Sequence, residues 1–113
     1  MQELEKKAYI YTVEAIGFAR SLEKLCPDSD PIKEFKENSG KIYTLVADTH
    51  KAESNEKFAD HLRQVRTIAY DLETKLPQID VTDESLSATQ EQLKQQLSEI
   101  IKKLDEILSK IIY

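Results

Sequence analysis

The sequence predicts an all-α fold, a single up-down-up-down antiparallel four-helix bundle, and three observations carry that prediction. Glycine and proline number only 2 and 3 in 113 residues while charged residues make up 33%, the composition of long helices bathed in solvent, whose interiors glycine and proline destabilise. Apolar residues recur at alternating spacings of three and four over four separate stretches, the 3.5-residue seam of helices packed at shallow angles. Short links holding prolines and capping side chains separate the stretches. At 13.0 kDa there is room for one core, so residues 1 to 113 are read as one domain.

The first helix is predicted over about residues 3 to 25, with Leu4, Ala8, Tyr11, Ala15, Phe18, Leu22 and Leu25 as its inward seam. Cys26-Pro27 ends it, because proline disfavours helical geometry in the residue before it. Asp30-Pro31 opens the second, about 31 to 53, the carboxylate serving as N-cap and the proline as first helical residue. Its seam is Ile32, Phe35, Ser39, Ile42, Val46 and Thr49, weakened by two hydroxyls. Gly40 inside it costs about 1 kcal/mol relative to alanine, so it marks either close backbone packing or a tolerated defect.

The third helix, about 55 to 76, is capped by Ser54 or Asn55 and carries Phe58, Leu62, Val65, Ala69, Leu72 and Leu76 up to Pro77. Thr82 or Asp83 caps the fourth, about 83 to 112, whose seam is Leu86, Gln90, Leu93, Leu97, Ile100, Leu104, Ile107 and Ile111. Helices joined by such short links sit antiparallel to their neighbours. At 1.5 Å per residue each would span about 33 Å.

Charge and motifs narrow the function classes. The net charge of −5 comes from residues 26 to 30 and 77 to 113, while 1 to 25, 31 to 53 and 54 to 76 are each neutral. No segment is a basic arm that binds nucleic acid by charge alone. No apolar run approaches a membrane span, and Met1-Gln2-Glu3-Leu4-Glu5-Lys6-Lys7 does not read as a secretory signal, so a cytoplasmic protein without membrane contact is expected. The lone Cys26 reads as an incidental loop thiol.

The expectation is no enzyme and no cofactor. There is no Gly-rich phosphate loop, nucleophile elbow or His-Glu-x-x-His. Di-iron bundles need Glu-x-x-His on two helices, and the residues three before His50 and His61 are Ala47 and Phe58. His50 with Glu53 is expected to be an ordinary solvated pair, and Asp48 a partly buried acid near the waist with a partner such as Thr44.

Two surfaces remain. Arg63, Arg66 and Tyr70 fall at i, i+3 and i+7 on the third helix, away from its seam. Two guanidinium groups beside a ring make a candidate contact for RNA or DNA, phosphate on the cations and a base on the ring. The alternative is that Arg63 pairs with Asp60, and Arg66 with Glu73 or Tyr70. On the first helix Tyr9, Ile10, Val13 and Ile16 lie off the seam, so Ala8 to Ala19 is apolar almost all round. Either this helix is the most central in the monomer or its back face is a subunit interface. The interface is favoured, since a four-helix monomer leaves one side of every helix in water. The chain end Ile111-Ile112-Tyr113 points the same way.

The stretch from Ile42 to Leu76 contains Ile42-Tyr43-Thr44-Leu45-Val46-Ala47-Asp48, then Ser54-Asn55-Glu56-Lys57-Phe58, His61-Leu62, and Tyr70-Asp71-Leu72-Glu73-Thr74-Lys75-Leu76. In order and spacing it resembles the four-helix proteins encoded in intervening sequences of bacterial 23S ribosomal RNA genes, some labelled ribosomal proteins. Thr49 stands where that family has glycine, Leu45 where it has a polar residue, and Thr67-Ile68 where it has a small Gly-Ser pair. The resemblance implies a bundle without established enzymatic activity. It is also similar to a related branch, the accessory proteins of diversity-generating retroelements, which implies a homo-oligomer, a pentamer favoured, and contact with nucleic acid and a reverse transcriptase. Those proteins are basic and this chain is not. The expectation is therefore an oligomeric scaffold, with itself and an unknown protein as partners and at most a weak RNA or DNA contact.

Overall fold

Four long helices and two short turns make up the regular structure of the computed structural model, which describes residues 2–111. α1 spans Gln2–Leu25, α2 Asp30–Asp48, α3 Asn55–Lys75 and α4 Glu84–Lys110, with 3₁₀ turns at Thr49–Lys51 and Leu76–Gln78. No strand occurs among the described residues. The expected helix end at Ile112, and the part assigned to Ile112 and Tyr113 in a covered face, lie outside them. α1 packs on α2, α2 on α3, α3 on α4, and α4 returns to α1, in a body of 47 × 22 × 20 Å. No helix is long and apolar enough to cross a membrane among these residues.

The caps explain where the helices start. Ser29, in extended conformation, caps α2 by accepting the Ile32 N–H at 3.4 Å. This corrects the assignment to Asp30, which is already the first helical residue. Ser54 Oγ accepts the Lys57 N–H at 3.1 Å and begins α3. Asp83 Oδ1 accepts the N–H groups of Ser85 and Leu86 at 2.9 and 3.1 Å and begins α4, so Asp83 is the cap rather than a helical residue. Those bonds to the ionised carboxylate, with the Ser85 hydroxyl first among them, hold its pKa below the ordinary value. α2 stops at Asp48 and not at 53, because the buried Thr49 turns its hydroxyl back onto the Val46 carbonyl at 2.6 Å and the chain tightens into a 3₁₀ turn.

The seams form one core. Leu4, Ala8, Tyr11, Ala15, Phe18 and Leu22 of α1 are buried, as are Ile32, Phe35, Ser39, Ile42, Val46 and Thr49. So are Leu62, Val65, Ala69, Leu72 and Leu76, and Leu93, Leu97, Ile100 and Leu104 of α4. Each such leucine contributes roughly 1.5 to 3 kcal/mol of burial, against which ordering entropy acts.

Six seam assignments need correction. Leu25, the last residue of α1, is 65% exposed. Phe58 is only half-buried and Ala59 takes the inward position beside it, while Leu86, Ile107 and Ile111 lie at the core's edge. Gln90 does not pack as an apolar residue. Its amide donates to the carbonyls of Leu76 and Ile79 at 2.8 and 3.0 Å, satisfying the turn that ends α3. Gly40 is no close-packing device either, because an added Cβ would meet nothing within 4 Å.

The hydroxyls in the α2 seam have a use that links α1 to α2. Tyr11 Oη and Ser39 Oγ lie 2.8 Å apart in the core, and Thr12 donates to the Ser39 carbonyl at 3.2 Å. A phenol and a serine that would each be costly alone satisfy one another there. Burial pushes the Tyr11 phenol pKa up, the Ser39 hydrogen bond offsetting only part of that.

Candidate functional site

α1 is a helix with two apolar faces. Its inward face is filled by Leu4, Ala8, Tyr11, Ala15 and Phe18, yet on the opposite side Tyr9, Ile10 and Val13 are 55%, 40% and 53% exposed. Three large apolar side chains within about one helical turn are more than the scatter of single exposed residues normal on a surface. Ile16, expected among them, is half-buried, so it belongs to the edge of the patch rather than its centre. The monomer core therefore does not absorb the outer residues, and α1 is not the central helix of the alternative reading. Tyr43 of α2, which sequence reading passed over, joins the patch. Its ring meets Tyr9 edge to face with centroids 5.4 Å apart.

Charge completes the surface. All four acids of α1 have partners on neighbouring elements: Glu3 with Lys103, Glu14 with Gln96, Glu23 with Lys36, and Glu5 with His50 in a short contact. The Lys103 ammonium holds the Glu3 carboxyl below its ordinary pKa. Lys7 is likewise turned to Glu99 of α4 at 3.5 Å. The remaining cations, Lys6, Arg20 and Lys24, are exposed, and no ion pair to them occurs among the described residues. With Tyr9, Ile10, Val13, Ile16 and Gly17 they follow one another at helical spacing, in the order cation, apolar middle, cation, cation. α1 is neutral as sequence and cationic on its outer face.

The groove between α1 and α4 flanks this stripe. Gly17 opens a recess of about 290 Å³ over Phe18, walled on the α4 side by Leu86 and Thr89. A second, of about 210 Å³, lies beside Ile10 and is lined by Lys7, Gln96 and Glu99. Gln96 donates to Glu14 at 2.7 Å, while its own side-chain carbonyl is buried without a donor.

The other candidate stripe is differently disposed. Arg63 meets Asp60 at 2.8 Å, as the pairing alternative expected. Arg66 reaches neither Glu73 nor Tyr70 but crosses to Asp105 of α4 at 2.9 Å, tying α3 to α4. Tyr70 is exposed. A phosphate bound here would have to displace a carboxylate from each guanidinium, which removes most of the attraction the stripe offers. His50 pairs with Glu5 and not with Glu53, whose carboxylate meets Lys57 at 3.1 Å. Asp48 lies at the end of α2, 3.6 Å from Lys51, rather than at the waist, and the Thr44 hydroxyl donates to Gly40 instead. Cys26 is an exposed free thiol. No group of three or more His, Cys, Asp or Glu is placed to hold a metal ion among the described residues.

A recess of about 250 Å³ sits between the start of α2 and the end of α3, floored by Phe35, Leu72 and Ile79. Lys75 at its rim bridges Glu34 at 2.7 Å and Asp71 at 3.2 Å, and these bonds raise the lysine pKa. Its charge is thus spent within the fold. Comparison with models of protein families, with curated proteins and with solved structures gave no match to this chain.

Proposed function

We propose that this chain is a non-enzymatic interaction scaffold, an up-down-up-down antiparallel bundle whose working surface is the outer face of α1. The observation that carries the reading is the exposure of Tyr9, Ile10 and Val13 over a core already closed by α1's other face. Each aliphatic side chain covered by a partner would contribute on the order of 1 to 2 kcal/mol, set against the entropy of association. A neighbouring copy is the occupant that the family resemblance suggests, with five subunits favoured; a separate protein is the other.

Light scattering coupled to size exclusion tests self-association, with Ile10→Glu/Val13→Glu as the perturbation, since Ile16 is too buried to be a clean surface change. An assembly that the double variant dissociates, with its helical circular dichroism intact, supports a self-associating scaffold. A wild-type mass of 13.0 kDa at micromolar concentration removes the second copy as occupant. Unfolding of the double variant would place those side chains in the monomer core and reject the surface itself.

A further inference from the structure

The charge pattern of α1 goes further than its apolar exposure, because it selects among occupants. Resting on the reading of this face as a docking surface, we infer that it takes an acidic amphipathic helix of another protein, laid along α1 as a fifth helix. Its apolar stripe would cover Tyr9, Ile10 and Val13, and its carboxylates would meet Lys6 at one end and Arg20 and Lys24 at the other.

The geometry sets the partner's dimensions. Lys6 and Arg20 are fourteen residues apart on one helix, about 21 Å at 1.5 Å per residue, and the α1 acid between them, Glu14 at the wall of the Gly17 recess, already accepts from Gln96 of α4. An occupant therefore needs about four turns of apolar contact with acids at both ends. The recess at Gly17 admits a side chain from it, since nothing stands within 4 Å of where a Cβ would be.

Two other occupants fit less well for physical reasons. The α1 of a second copy brings like charges together in either direction: antiparallel about Val13 it sets Lys6 against Arg20, and parallel it sets each cation against its own equivalent. Such juxtaposition opposes binding. The remaining exposed large apolar residues among those described are Leu25 at a helix end, Tyr43 within the same patch, and Tyr70 on α3. They do not form a second stripe bracketed by acids. RNA needs closely spaced cations along its phosphates, whereas the middle of this stripe is aliphatic.

The test uses the full chain and labelled synthetic helical peptides of about 18 residues. One carries a leucine stripe flanked by glutamates, and its twin has lysine for every glutamate. Fluorescence anisotropy is expected to show the acidic peptide bound at least about tenfold more tightly than the basic one. Lys6→Glu/Arg20→Glu/Lys24→Glu is expected to reverse that order, and Val13→Glu to weaken both peptides. The reversal is the deciding readout, since general damage to the fold would weaken binding without exchanging specificity. Equal affinity for the two peptides, or failure of the triple variant to exchange them, overturns the acidic partner. If Ile10→Glu/Val13→Glu still dissociates an assembly in that event, the docking surface itself stands. An oligomer whose subunits the acidic peptide cannot displace overturns it in favour of a second copy. A short single-stranded RNA that binds more tightly than the acidic peptide and loses affinity in the triple variant overturns it in favour of nucleic acid.

Discussion

Removing the phenol hydroxyl by Tyr11→Phe leaves the aromatic ring in place and strands the Ser39 hydroxyl, which now faces Tyr11 Oη at 2.8 Å in a dry core. Ser39→Ala strands the phenol in the same way. A satisfied pair contributes only about 0.5 to 1.5 kcal/mol net, but a buried group left without its partner costs about 1 to 3 kcal/mol. Each single variant is therefore expected to lose about 1 to 3 kcal/mol, and the double variant no more than either single one. Urea melts of the four proteins close the cycle, and strictly additive losses would refute the coupling. Alkaline pH supplies an independent check. Burial raises the folded-state phenol pKa above the ordinary 10.0, so above about pH 10 the unfolded chain gives up this proton while the folded chain keeps it. Stability from this group is complete below that pH and declines as the pH rises beyond it. Tyr11→Phe is expected to remove this part of the alkaline decline. An identical decline in wild type and variant would show that the phenol is not buried as described.

Leu62, Leu72 and Leu104 are buried to 1% exposure or less, and truncating any one to alanine is expected to lower stability by roughly 2 to 5 kcal/mol in denaturant melts. Two near-wild-type melts among the three would mean that the seams are wrongly phased. Gly40→Ala is expected to raise stability by about 1 kcal/mol, because the new methyl group enters open space within a regular helix. A lower melting temperature would instead show that the backbone there approaches a neighbour.

The fold was legible because each signal that specifies it is local. Spacings of three and four put Leu4, Ala8, Tyr11 and Ala15 on one side of a helix whatever that helix later touches, and Pro27 and Pro77 interrupt helices by backbone sterics. Helix ends were less legible. Ser29 and Asp30 are both good caps in adjacent places, and Thr49 changes the helix to a tighter turn only because its hydroxyl is buried against Val46.

Side-chain pairing was the least legible part, and the candidate surface depends on it. Spacing alone puts Tyr9, Ile10, Val13 and Ile16 off the seam, but that the first three are exposed and Ile16 half-buried is read only from the packed helices. Arg66, by contrast, has Asp71, Asp60 and Glu73 five, six and seven residues away on its own helix, yet its partner is Asp105, thirty-nine residues on. Spacing along one helix ranks only its own neighbours; which helix lies alongside, and at what height, decides the rest.

What the sequence determined by itself is thus the helical fold class, most of the inward seams, and a first helix apolar on two faces. The direction of its charges was decided by tertiary structure alone. Glu3, Glu5, Glu14 and Glu23 become partners of α4, α2 and the turn after it once those elements lie beside α1. The same packing leaves Lys6, Arg20 and Lys24 facing outward. A segment neutral by count acquires a cationic face because contact takes up all four of its acids but only Lys7 of its four cations, and no count along the chain contains that information.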